Sequence, residues 1–125
     1  MKELLLVFVG GGMGSVLRYS IGLLIPSTTH SFPYPTLIAN LIGCFFVGLI
    51  IGFATTSQWI QGSLMIFFIV GFCGGLTTFS ALIQQSFDFL NYSSYFYFFL
   101  YASLSFCGGL ILVYLGSHLS KVMAT

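Results

Sequence analysis

The chain has 125 residues, 58% of them hydrophobic and only 4% charged, with a mean hydropathy of +1.06. A water-soluble domain carries about 25% charged residues, so this composition excludes a folded body surrounded by water. Lys2, Arg18 and Lys121 against Glu3 and Asp88 leave a net charge of +1, too sparse for a nucleic-acid surface or a basic lipid-binding patch. No charged side chain occurs from Tyr19 to Phe87. A bilayer core takes about 20 apolar residues per helix, so the reading is an all-α membrane protein, one domain over 1–125 with four spans and short loops.

The first span is expected at about 4–25. Its opening, Lys2 followed by an apolar run, resembles a signal peptide, but the apolar pattern passes Arg18 and more spans follow, which favours an uncleaved helix. Gly11, Gly14 and Arg18 are spaced i, i+3, i+7 and fall on one face, along which a neighbouring helix can approach closely. Arg18 either snorkels to the interface or makes the entrance of an aqueous vestibule attractive to anions; burial in lipid is too costly for a third option.

Residues 26–35 read as a loop in which His30 is solvated. The second span, about 34–54, holds Asn40 among hydrocarbon, where an amide is costly unless its donors and acceptor are used. Asn40 therefore points inward, either to bond a neighbouring helix or to contact an anion. Gly48 and Gly52 add a small-residue packing face. After a second loop, where Trp59 suits the interfacial aromatic belt, the third span is expected at about 63–89. It contains Gly71-Phe72-Cys73-Gly74-Gly75-Leu76-Thr77-Thr78-Phe79-Ser80. Paired glycines followed by two β-branched threonines predict a helix break, with the glycines at backbone angles that a valine could not follow. Backbone freed at membrane depth must be buried in protein or line a polar cavity.

The second half of this span carries Ser80, Gln84, Gln85 and Ser86 and ends at Asp88, more polar than a lipid-facing helix. The fourth span, about 95–119, sets Tyr101, Ser105 and Gly109 at i, i+4, i+8 on one face. A lone membrane serine usually bonds back to its own helix, which is the plain reading of Ser105. Cys44, Cys73 and Cys107 lie in apolar runs without metal or redox spacing and read as small core hydrophobes.

Lys2 and Lys121 on one side against Arg18 on the other give almost no orientation bias. Insertion both ways would bring two broken third helices of antiparallel copies together around a two-fold axis at the midplane. No nucleophile with a base, carboxylate pair, metal-ligand cluster or phosphate loop is present in the sequence, so enzyme chemistry is not expected. The interior offers neutral donors from Asn40, Thr77, Thr78, Ser80, Tyr101 and Ser105, and the electropositive edge of Phe79. Carbonyls freed at a break would suit sodium.

The motifs Gly11-x-x-Gly14-x-x-x-Arg18-Tyr19, Thr36-Leu37-x-x-Asn40 and 71–80 resemble the signature stretches of the small bacterial fluoride channels, the Fluc or CrcB family. That resemblance implies an antiparallel, dual-topology homodimer in the bacterial cytoplasmic membrane, exporting fluoride passively through two pores. It assigns Asn40, Phe79, Ser80, Tyr101, Ser105 and Thr36 to the anion path and Arg18 to the vestibule. A central structural sodium ion would be held by the backbone carbonyls of Gly74 and Thr77 from both subunits. Two positions depart from the pattern: Leu82 stands where a second pore phenylalanine is usual, and Gly109 where a serine is often found. The competing readings are a small four-helix multidrug-type exporter, which would need an embedded carboxylate that the first span here does not have, and an accessory membrane subunit.

Overall fold

Every regular element in the computed structural model is helical among the described residues, which are 1–28, 31–57 and 60–124. His30 and Trp59 lie outside them. Helix α1 is Lys2–Leu24 and α2 is Tyr34–Thr56. Helix α3 covers 63–76: one opening turn, a π-helical stretch over Ile66–Cys73, and a last turn at Gly74–Leu76. Helix α4 is Phe79–Asn91 and α5 is Tyr95–Met123. Taking Ser63–Asn91 as one crossing, four helices are long and apolar enough to traverse a bilayer. The chain is a multi-pass membrane protein.

Local chemistry explains the boundaries. Pro26 disfavours a helical residue before it, and Ile25 has left the helix at φ −119°, ψ 78°. Pro35 sits in the first turn of α2, where a missing N–H costs nothing. Gly62, at φ +58°, makes the left-handed turn into α3 that glycine adopts without penalty.

Helix α1 lies along α3, and α2 along α5. In both pairs the backbones touch. A Cβ on Gly14 would collide with the backbone at Phe72 and Leu76, and one on Gly75 with that of Gly11; Gly48 and Gly116 bring α2 and α5 together in the same way. The buried cluster is small, with Ile21, Ala39 and Leu76 surrounded by Ile25, Ile38, Ile42 and Phe72. Large apolar side chains such as Phe8, Leu24, Phe96 and Phe106 point outward instead.

The glycine pair differs from its expected role. Gly74 is helical at φ −62°, ψ −35°, and Gly75 lies within the last turn of α3. The extended residues are Thr77 (φ −83°, ψ 153°) and Thr78 (φ −146°, ψ 117°). Thr78 is the N-cap of α4, its Oγ1 accepting the Ala81 N–H at 3.3 Å, and an N-cap requires extended angles. The glycines serve close approach, and the threonines carry the change of direction.

Candidate functional site

A helix that ends inside a bundle leaves its last four carbonyls without ladder partners. Around Thr77 and Thr78 each nearby group finds a different solution. The N–H and the hydroxyl of Thr77 both donate to Cys73 O, each at 2.9 Å. The Thr78 N–H, which a continuous helix would direct to Gly74 O, donates to Asn40 Oδ1 at 2.7 Å, and Asn40 Nδ2 donates back to Thr78 O at 3.2 Å. Both ends of the Asn40 amide are therefore committed to one backbone residue, much as a neighbouring strand would be. Gly75 O accepts from Arg18 Nε at 3.1 Å and has Ser15 Oγ at 3.5 Å. Ser80 Oγ lies 3.2 Å from Thr78 Oγ1.

Beside this junction runs a groove of about 550 Å³, lined among others by Asn40, Thr77, Thr78, Phe79, Leu82 and Ser105. The Phe79 ring stands at its edge, 74% exposed. Ser105 Oγ is buried without a hydrogen-bond partner, so the back-bond to its own helix expected of a lone serine does not form. A buried hydroxyl with unused capacity can serve a ligand.

Tyr101 does not join Ser105 in one hydrogen-bonded track. Its side chain is fully buried, and its hydroxyl donates to Gln85 Oε1 at 2.6 Å while Gln85 Nε2 donates to Thr36 Oγ1 at 2.8 Å. Phe32 and Phe89 meet the Tyr101 ring edge-on, at centroid distances of 5.5 and 6.1 Å. Gln85 is the site residue that sequence reasoning passed over, because a glutamine on a polar half-helix looks like general polarity. The available signal was register: Thr78, Leu82, Gln85 and Phe89 recur at helical spacing. Beyond this bridge opens a second, more polar cavity of about 500 Å³, lined by Gln85, Asp88, Ser27, Ser31, Ser94 and Tyr97.

The predicted residues thus fall into three places. Asn40, Phe79 and Ser105 share the groove, with Ser80 beside Thr78; Thr36 and Tyr101 meet through Gln85; Arg18 lies on the opposite side of α3, against Gly75. Gly74 is exposed and Thr77 half-buried. Tyr101→Phe is expected to cost about 1–2 kcal/mol in thermal unfolding, since Gln85 Oε1 loses its donor. Combined with Gln85→Leu, the loss should be smaller than the sum of the two single losses, because both variants break the same bridge.

Residues 5–117 match the family model described as CrcB-like protein, Camphor Resistance (CrcB). The chain is 41% identical over 122 residues to the fluoride-specific ion channel FluC of Azobacteroides pseudotrichonymphae, covering 97% of this chain and 98% of that protein. It is 41% identical over 122 residues to the protein of that name from Chlorobium chlorochromatii, covering 98% and 95%. With the one from Flavobacterium psychrophilum it shares 38% over 122 residues, covering 97% and 98%. A match of this extent, running through all four crossings and both sides of the Thr77–Thr78 junction, places the chain in the CrcB family.

Proposed function

We propose that this protein is a fluoride-specific ion channel of a bacterial cytoplasmic membrane, letting fluoride leave the cell passively and so lowering its toxicity. The observation that carries the reading is the groove at the Thr77–Thr78 junction, where the buried Ser105 hydroxyl has no partner and no lining residue carries a charge. Fluoride sheds its water only where hydrogen-bond donors replace it, and a fixed cation in the path would hold it too tightly to leave. The unpartnered Ser105 hydroxyl is one such donor. The first N–H groups of α4, at the positive end of a 13-residue helix, face the same junction. Phe79 adds an electropositive ring edge at the rim. Leu82 lines the groove without a ring, so Phe79 is the aromatic contact this stretch of α4 supplies. Thr36, Gln85 and Tyr101 extend the line of polar atoms toward the second cavity. Asn40 holds the junction open through Thr78.

The working unit is an antiparallel homodimer inserted in both orientations, with the interruption at Thr77 and Thr78 as the break in its third crossing. The backbone carbonyls of Gly74 and Thr77 from both copies would hold a sodium ion at the dimer centre. Three features support this. The amides that a continuous helix would send to those carbonyls, Thr78 N–H and Ala81 N–H, are spent on Asn40 and on the Thr78 hydroxyl. Gly74 is exposed, and a Cβ there would meet Ile69 O at an ordinary 3.7 Å contact. Hard carbonyl oxygens without a formal charge suit a monovalent alkali cation.

The test is anion loss from liposomes loaded with fluoride or with chloride, with a potassium shunt so that charge movement does not limit the rate. Rapid fluoride loss with negligible chloride loss is expected. Replacing sodium by a large organic cation should reduce the dimer fraction and the flux together. A folded dimer that passes neither anion would favour an accessory subunit instead.

A further inference from the structure

Arg18 was expected at the interface or at the mouth of a vestibule, facing water or protein, and its Nε is bonded to a peptide carbonyl. The acceptor, Gly75 O, belongs to the last turn of α3, where the helix dipole ends on unpaired carbonyls and a cation is favoured. Ser15, three residues earlier on the same face of α1, approaches the same oxygen at 3.5 Å. Gly11 and Gly14, also on that face, allow the two backbones to meet. Gly75 is thereby turned toward α1. Its neighbour Gly74 is exposed, and a Cβ built there meets only Ile69 O, at 3.7 Å. Successive helical residues are about 100° apart, so anchoring Gly75 against α1 fixes Gly74 outward.

We infer that Arg18 is a positioning residue: through Nε and the Gly75 carbonyl it sets the rotation of the last turn of α3 and keeps the Gly74 face presented to a second copy. The role is that of a hydrogen-bond donor, beyond any attraction its charge exerts on anions in a vestibule. The inference rests on the sodium-bridged dimer proposed above only for its effect on sodium; the restraint on α3 is a property of the single chain.

Donor and charge can be separated chemically. Nε of arginine and Nε2 of glutamine are both bonded to Cδ, so Arg18→Gln keeps a donor the same number of bonds from the backbone and removes the charge. Arg18→Lys keeps the charge and moves the nitrogen one bond further out. Arg18→Met keeps the length and supplies neither.

The experiment is amide hydrogen exchange over residues 71–78 of the purified full chain, together with the sodium chloride concentration giving half-maximal thermal stabilisation of the dimer against a large organic cation. Arg18→Gln should follow the original protein in both readouts. Arg18→Lys and Arg18→Met should exchange about tenfold faster in that segment, as expected for losing the net contribution of one hydrogen bond, with α2 and α5 unchanged. Their half-maximal sodium concentration should rise by about the same factor. If Arg18→Lys follows the original protein while Arg18→Gln behaves like Arg18→Met, charge is what matters and the inference is overturned. Equal behaviour of all three variants, fast or slow, also overturns it. Should Arg18→Met fail to fold, the order of the glutamine and lysine variants still decides. Fluoride efflux of the unmodified protein, run alongside, isolates the channel reading: its absence would remove that reading and leave the exchange comparison intact.

Discussion

Asn40→Ala should lower fluoride efflux about a hundredfold and destabilise the folded chain by about 2–4 kcal/mol. One side chain satisfies both the N–H and the C=O of Thr78, at 2.7 and 3.2 Å. Alanine leaves two backbone groups unpaired where lipid and neighbouring helices offer no substitute, and each such group costs about 1–3 kcal/mol. With Thr78 released, the N-cap of α4 and the groove wall that Thr77, Thr78 and Phe79 form both lose their definition. Asn40→Asp discriminates further, since it keeps an acceptor for the Thr78 N–H but loses the donor to Thr78 O and adds a negative charge beside the proposed anion path. It should be more stable than the alanine variant and still not conduct. Thermal unfolding and liposome efflux, measured on the same preparations, check both statements. Loss of stability with unchanged efflux would reduce Asn40 to helix-to-helix glue and sink its role in the path.

Gly75→Val and Gly74→Val should fail in different ways, although the residues are adjacent. A Cβ at Gly75 falls on the backbone of Gly11, which no rotamer change can relieve, so α1 and α3 must separate. The expected result is no recoverable folded protein, in the range above about 4 kcal/mol that marks severe lesions. At Gly74 the backbone angles are those of an ordinary helix and a Cβ has room, so valine costs the single chain nothing in helix propensity, glycine being the poorer helix former by roughly 0.3 kcal/mol. Its helicity should survive while the proposed dimer is lost, because the added methyl groups project from an exposed face. Light scattering after size-exclusion chromatography, with circular dichroism for helix content, separates the two outcomes. A Gly74→Val protein that stays dimeric and conducts would show that the second copy does not lie on this face.

The four crossings were legible because hydrocarbon demands length and apolarity, and little else in a sequence satisfies both. The ends of helices were less so. Helix α5 runs on to Met123, past the expected stop near Leu119, since leaving the hydrocarbon imposes no break and Leu119, Lys121 and Met123 are good helix formers. Composition located the special decade 71–80, but propensity assigned the unusual angles to the glycines. Propensity counts what a residue costs in a helix; it does not register that Gly75 is needed for contact with Gly11, or that Thr78 serves as a cap. The polarity of Asn40 marked it as inward, and its partner was out of reach because that partner is main chain. Tyr101 and Ser105 share a helical face, yet the hydroxyl of Tyr101 crosses to Gln85 on another helix. Spacing along one helix reports direction and says nothing about which neighbour supplies the other half of a bond.

The π-helical stretch Ile66–Cys73 carries one more consequence. Such a segment accommodates an extra residue in its wider turn, so everything after it is rotated by roughly 100° relative to an uninterrupted α-helix of the same start. Which of two adjacent glycines meets α1, and which looks outward, therefore depends on how many residues precede them and hardly on which residues these are. Ile66, Phe67, Phe68, Ile69 and Val70 form a run open to apolar exchange, in which a single insertion or deletion would turn the far end of the helix to the wrong neighbour.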